Sequence, residues 1–360
     1  MKLKTSAIAM AVAGTLAAPV VVQAGADEVY ASARIGIWNT DTAGESEVDI
    51  RSFSSRFGAR GETDLGNGLT AFGRYEWDVD LGEGGGLGVR HRYIGMKGDF
   101  GQLLIGQTTH TFYTLGAGVL DIPWWHSGYN MLAYGAANGT SSRGDNALTY
   151  SGSSGAVSFG ATLYFDADAG DTADDAFDDA VDAVNAHSLA VAANGITPGT
   201  FTATEIAELA SDAADAISDA ESASRGEDGV DGVEVGVSIG FGDMALNIAV
   251  QDIEITDNAV TSVVLHGIAL GDATLGVGVQ ANDDDTGLII DAGFGNAYLH
   301  IEQTSFDKAD TDPLAITLGY TQSVGRKTTM YYEFFTFDKD TGDSDDDVDR
   351  IMAVMKYDII

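Results

Sequence analysis

Ser55-Arg56-Phe57-Gly58-Ala59-Arg60-Gly61-Glu62-Thr63-Asp64-Leu65-Gly66-Asn67-Gly68-Leu69-Thr70-Ala71-Phe72 is the stretch from which the fold can be read. A period of two places Arg56, Gly58, Arg60 and Glu62 on one face and Phe57 and Ala59 on the other. Asp64 to Gly68 then makes a compact turn, with glycines available for positive φ. The next segment repeats the rule, with Arg74, Glu76 and Asp78 alternating against Tyr75, Trp77 and Val79. Both faces cannot meet lipid, because an arginine facing the middle of a bilayer costs about 2 to 4 kcal/mol. The charged face calls for water and the aromatic face for an apolar medium.

Outward from this stretch the chain divides into about sixteen alternating segments, each near the roughly 9 to 11 residues of a tilted spanning strand. Their approximate bounds are 28–38, 49–62, 68–80, 89–98, 101–107, 145–151, 155–166, 232–241, 243–253, 261–271, 273–282, 286–295, 296–306, 314–323, 327–339 and 348–359. The pattern is clearest where Val233, Val235, Val237, Ile239 and Phe241 oppose Glu234, Gly236, Ser238 and Gly240. A soluble sandwich gives the same alternation. Loop lengths separate the two: Gly242-Asp243, Gly271-Asp272 and Gly295-Asn296 are very short connections, whereas others are long and acidic, the asymmetry of an outer-membrane barrel. Aromatics near segment ends, among them Tyr30, Trp38, Tyr75, Trp77, Tyr164, Phe241, Tyr298, Tyr320, Phe334 and Tyr357, are candidates for interfacial girdles. All four prolines, Pro19, Pro123, Pro198 and Pro313, fall outside the segments, as a ladder that uses every N–H requires.

Residues 1–24 read as a signal peptide: Lys2 and Lys4, an apolar run from Ala7 to Val22, and Val22-Gln23-Ala24 before cleavage. Removing the two lysines takes the formal charge from −37 to −39 (−37 − 2). So acidic a chain disfavours nucleic acid, which demands clustered Lys and Arg. It suits a high-salt habitat, where the screening length falls to about 3 Å at 1 M. With no cysteine, stability rests on backbone pairing and burial.

Two stretches break the strand pattern. Residues 167–231 are rich in Ala and Asp with helical stripes, Phe177, Val181 and Val184, then Ile206, Leu209, Ala213 and Ile217, and read as a helical insertion in one outer loop. Residues 108–143 lack sustained alternation yet carry Phe112, Tyr113, Leu115, Val119, Leu120, Ile122, Trp124, Trp125, Tyr129 and Tyr134. A loop that apolar rests on something. It is expected to fold into the space the strands enclose and narrow it.

Ser55 to Phe72, Arg90 to Gly95, Gly98-Asp99-Phe100-Gly101, Ile105-Gly106-Gln107 and Arg143 to Tyr150 together resemble the general diffusion porins of Gram-negative outer membranes. The ordered combination covers about a quarter of the chain. The resemblance implies an all-β fold, a 16-stranded antiparallel transmembrane barrel over 25–360, assembled as a homotrimer, with the third loop folded inward as a constriction. It implies wall arginines at Arg56, Arg90 and Arg143, with Arg34 near them, facing acidic residues on the loop. Asp121 is the one carboxylate between Gln107 and Arg143, fewer than the family shows. The period of two adds Arg60, Arg74, Glu76 and Arg92 to the pore lining, with Arg90 and Arg92 sharing a face opposite Tyr93. Trp124, Trp125 and Tyr129 either form an aromatic constriction or anchor the loop to the wall.

Catalysis has little support, because no pair among His91, His110, His126, His187, His266 and His300 has metal-ligand spacing, and no cofactor is expected. The acidic runs Asp283 to Asp285 and Asp343 to Asp347 lack the spacing of a calcium loop and read as solvated surface. The expected partners are outer-membrane lipid and lipopolysaccharide, other copies of the chain, and small hydrophilic solutes and ions. Acidic outer loops give an expectation of mild cation selectivity, opposed locally by the arginines. A sugar-selective porin with a tryptophan track and a secreted acidic β-protein without a pore remain the alternatives.

Overall fold

The computed structural model describes residues 28–81, 86–123, 125, 142–144, 146–165, 230–253, 259–307, 309–340 and 347–359. Their strands, in chain order, are β1 (Glu28–Thr42), β2 (Glu45–Ser52 and Ser55–Gly66), β3 (Leu69–Val79), β4 (Leu87–Gly98) and β5 (Gly101–Thr109). After an inward loop come β6 (Arg143–Gly144 and Ala147–Ser154), β7 (Val157–Phe165), β8 (Val230–Phe241), β9 (Met244–Ile253), β10 (Val260–Leu270) and β11 (Ala273–Ala281). The last five are β12 (Asp285–Phe294), β13 (Ala297–Phe306), β14 (Leu314–Gly325), β15 (Thr328–Asp338) and β16 (Val348–Asp358).

Each strand pairs antiparallel with its neighbours, and β1 pairs with both β2 and β16, so the sheet closes on itself as a 16-stranded barrel. Closure removes every strand edge, which lets a sheet sit in lipid with its backbone groups satisfied. The second strand is interrupted at Phe53 and Ser54: Phe53 is buried, and Ser54 adopts φ 56°. Its two pieces still share β1 as partner.

Seven connections on one rim are two-residue turns, at 67–68, 99–100, 155–156, 242–243, 271–272, 295–296 and 326–327. At the first, Asn67 and Gly68 both take positive φ, the geometry that matches strand twist in a tight hairpin. The other rim carries the long connections, apart from the short ones at Ala43-Gly44 and 282–284.

Cross-strand register fixes which face each side chain occupies. Arg60 lies opposite Arg74, Gly58 opposite Glu76 and Arg56 opposite Asp78, all on the inner face. Phe57 faces Trp77 on the outer face, their rings stacked at 4.7 Å. Large apolar side chains coat the outside elsewhere, with Ile94, Ile105 and Phe294 each more than half exposed.

Two expectations change here. Arg90 and Arg92 do not share a face: the ladder from β3 to β4 shifts register between Glu76 and Trp77, Glu76 pairing with His91 and Trp77 with Val89. Arg90 is the extra residue of this bulge and turns inward beside His91. Arg92 then lies opposite Tyr75 and Gln107 on the outer face, and Tyr93 opposite Arg74 on the inner one. Several supposed girdle aromatics also face inward. Tyr30, Trp38, Tyr164 and Tyr298 serve the interior, while Tyr75, Phe241, Tyr320, Phe334 and Tyr357 are exposed outside.

Candidate functional site: a charged inner wall and the loop facing it

Strands β1 to β4 converge their inner-face charges on Glu76, which is completely buried. Arg90 donates from Nε to Glu76 Oε1 at 2.9 Å, and its other end reaches Ser54 Oγ at 3.1 Å. Arg74 donates to Glu76 Oε2 from one nitrogen and to the Tyr30 hydroxyl at 2.8 Å from Nε. Tyr30 donates in turn to Glu76 Oε2 at 2.8 Å. Arg56 stands 3.8 Å from Glu76 and donates to the Ser54 carbonyl at 3.3 Å. One carboxylate thus organises three guanidinium groups, and the left-handed residue Ser54 gives both of its oxygens to two of them. Charge-assisted contacts of this kind are short and directional.

Arg34 and Arg143 extend the group. Both act electrostatically on Arg56 together with Arg90. Arg143 donates from Nε to His91 Nε2 at 3.2 Å, and Arg34 is fixed through backbone bonds to Ser55 Oγ and Phe53. Of these five arginines, Arg56, Arg74 and Arg90 lie against Glu76, and Arg90 also stands 4.0 Å from Asp78. Arg60 sits nearer the short-turn rim, paired with Glu28 at an exposed position.

The loop after β5 runs along the opposite wall. Thr111–Leu115 forms a single helical turn, α1, and Ala117–Leu120 a 3-10 turn. Its route follows inward-facing glycines. A Cβ at Gly236 would come within 2.7 Å of Leu115, and one at Gly276 within 2.4 Å of Leu120, so these positions admit the loop because they lack side chains. Leu120 is buried against Val264 and Ile289. Farther on, the Trp125 ring packs edge to face on Phe53 with ring centres 5.0 Å apart, and the Trp125 backbone N–H donates to Glu333 at 3.2 Å. Asp121 accepts from the Tyr113 hydroxyl within the loop itself.

A family model described as Gram-negative porin matches residues 5–342. The chain belongs to that family. Major outer membrane protein P.IB of Neisseria meningitidis is similar, 34% identical over 121 residues that cover 32% of this chain and 35% of that protein. The chain thus aligns with about a third of the length of this curated relative. Among solved structures, an anion-selective porin from Comamonas acidovorans superposes with a TM-score of 0.61 at 15% identity, covering 93% of this chain and all of that one. The trimer form of OmpT from Vibrio cholerae gives 0.59 at 16% identity, with 93% and 100% coverage. At such identities the likeness is one of fold.

Within this porin the structure brings together Arg34, Arg56, Arg74, Glu76, Arg90 and Arg143, leaves Arg60 toward one rim and turns Arg92 outward. The loop between strands spans 110–142, because Thr109 belongs to β5 and Arg143 to β6. Val230 and Asp231, placed by the sequence in the helical insertion, are already in β8. Trp124, Tyr129, residues 1–24 and the rest of the insertion lie outside the described residues. Trp125 meets Phe53 and the Trp38 cluster, an anchoring contact.

Sequence reasoning missed Glu234, His110 and Glu333. Glu234 is fully buried and accepts from the Phe112 N–H at 2.9 Å, the Tyr164 hydroxyl at 3.0 Å and Gln251 at 2.6 Å, with His110 Nδ1 at 2.7 Å. The signal was present as an acidic residue among glycines on an inner face, but a water-filled lumen accommodates such a residue without further purpose.

Proposed function

We propose that this chain is a passive outer-membrane channel, not an enzyme: a water-filled pore through which small hydrophilic solutes and ions diffuse. The observation that carries the reading is the arginine group around Glu76 on the inner face of a closed barrel whose outer face bears exposed aliphatic and aromatic side chains. The loop along β7 to β15 narrows the lumen opposite those arginines, making an aperture with one strongly basic wall. The channel works as a homotrimer set in outer-membrane lipid and lipopolysaccharide after removal of the signal peptide. Arg92, on the outer face in the middle of β4, fits a subunit contact better than lipid, where it would cost about 2 to 4 kcal/mol.

Ion preference follows from two opposed charge sets. The acidic outer loops enrich cations at the mouth and act over distances that salt screens. The arginine wall favours anions and acts at contact range inside the aperture. The screening length is about 10 Å at 0.1 M and about 3 Å at 1 M. Mild cation preference at low salt should therefore weaken and give way to anion preference as salt rises. Reversal potentials across a planar bilayer, taken in salt gradients centred on low and then high concentration, test this. A preference that does not move with salt rejects the two-set account, and an absence of conductance steps rejects the channel.

A further inference from the structure

We propose that His91 is a positioning residue for the aperture: it stays neutral, accepts a hydrogen bond from Arg143, and so fixes where that guanidinium meets a passing ion. The idea rests on the channel reading above and adds to it a residue that sets ion preference without carrying charge.

Arg143 needs such a hold because its own strand gives it little. It opens β6 in a two-residue piece, where Arg143 pairs with Thr109 and Gly144 with Thr108, and the ladder to β5 resumes only at Leu148 opposite Ile105. Between the two pieces Asn146 takes φ 47°. An arginine side chain has many rotamers to lose, and pairing of its backbone does not choose among them. The 3.2 Å bond from Arg143 Nε to His91 Nε2 does. Nε is the guanidinium nitrogen nearest the backbone, so a bond there fixes the plane of the whole group. His91 is placed to accept it by the bulge in β4. Strict alternation would turn one of residues 90 and 91 outward, but the register shift between Glu76 and Trp77 brings both inward. Bulges re-aim side chains in this way. Arg90 goes to Glu76, and His91 reaches past β5 to Arg143 on β6. The imidazole is itself held, 5% exposed and edge-on to Tyr93 with ring centres 6.1 Å apart.

The direction of the bond fixes the protonation state. An arginine Nε only donates, so His91 Nε2 is the acceptor and the ring carries its one proton on Nδ1. Nδ1 is buried with no partner among the described residues, a cost the fold bears for the acceptor on the other side of the ring. The surrounding charges act in the same sense: Arg74, Arg90 and Arg143 face the imidazole, with Glu76 as the carboxylate near it. A proton added to the ring would both break the bond to Arg143 and set a further positive charge among these guanidinium groups. A glutamate at this position would accept from Arg143 but cancel its charge, and a lysine would repel it. Neutral imidazole orients the arginine and leaves its charge whole.

The experiment measures reversal potentials of the full-length protein in planar bilayers under a salt gradient, comparing wild type with His91→Leu, His91→Gln, Arg143→Ala and the double variant His91→Leu with Arg143→Ala. His91→Leu is expected to shift the reversal potential toward cations about as far as Arg143→Ala, and the double variant no farther than either. His91→Gln is expected to stay near wild type, because its Oε1 takes the place of Nε2 as acceptor. A structural role alone would not produce this pattern of non-additivity and rescue. A wild-type reversal potential in His91→Leu overturns the proposal, as do shifts that add in the double variant or an Arg143→Ala channel that selects as wild type does. The second readout is pH, scanned from roughly 8 to 5, where an unperturbed histidine titrates. Wild type and His91→Gln are expected to follow the same curve; a rise in anion preference on acidification that His91→Gln lacks means that the ring takes up a proton, and overturns the proposal. If His91→Leu does not assemble, His91→Asn, whose amide falls at Nδ1 and short of Arg143, is read by the same criteria. Failure of the channel reading itself appears as wild-type protein without conductance steps, and not as a pattern among the variants.

Discussion

The two halves of the inner wall use charge in opposite ways. On β1 to β6, three arginines converge on one buried glutamate, with Arg34 and Arg143 beside them. On β7 to β15 the charged residues are carboxylates, among them Glu234, Asp291, Glu302 and Glu333, all at most 2% exposed and bonded to histidine, tyrosine, glutamine or backbone N–H groups. The first wall leaves its guanidinium groups partly exposed, the side chains of Arg56, Arg74 and Arg90 at 19%, 25% and 13%. The second hides its charge: Glu234 and Glu333 accept from loop N–H groups, while Asp291 and Glu302 hold His300. On the proposed reading, the same residue classes on one sheet serve permeation or architecture according to what lies over them.

This contrast can be broken most severely at Glu76. Replacing it with alanine leaves Arg56, Arg74 and Arg90 without their shared carboxylate, and removing one partner of a buried ion pair costs about 3 to 5 kcal/mol. The expected outcome is a marked loss of resistance to denaturant in detergent, together with a reversal potential shifted toward anions in the channels that do form. Unchanged denaturation would mean that the arginines do not depend on it.

On the opposite wall, Leu120→Ala is expected to destabilise its buried position by about 2 to 5 kcal/mol, the cost of vacating a packed apolar site. The loss should appear locally, as faster proteolysis within the loop while barrel migration on gels is retained. Gly276→Val should do the same by filling the notch from the other side. If neither changes proteolysis, the loop is not held by that contact.

How much of this was visible in the sequence follows the same division. The segment count, the face carrying Arg56, Arg60, Arg74 and Glu76, and the short-turn rim were legible because a period of two and turn chemistry are local properties. The bulge at Arg90, between Val89 and His91, was not, since one extra residue leaves no mark in the alternation, and it reversed the face assigned to Arg92. Tyr30, Trp38, Tyr164 and Tyr298 were misplaced for a related reason: an aromatic near a strand end suits a membrane interface and an interior anchor equally well. Glu234 needed the fold, because its meaning comes from Phe112 and His110, more than a hundred residues earlier.

Two weaker effects sharpen the comparison. Arg92→Glu, on the outer face, is expected to lower the temperature at which the oligomer dissociates on gels while leaving single-channel conductance near wild type. An unchanged dissociation temperature would remove this arginine from the subunit contact. Asp121→Asn should have the smallest effect, a slight shift in reversal potential toward anions, because one loop carboxylate already bonded to Tyr113 adds little field against five arginines.

The claim beneath all of this is that Arg56 and its neighbours look onto water while the alternate residues do not. Cysteine substitution in the cysteine-free chain measures it directly, using a membrane-impermeant charged thiol reagent during bilayer recording. Arg56→Cys is predicted to react and lower the conductance of each channel in steps, whereas Ile94→Cys on the outer face leaves it unaltered. Conductance that falls for Ile94→Cys and stays constant for Arg56→Cys would contradict the account.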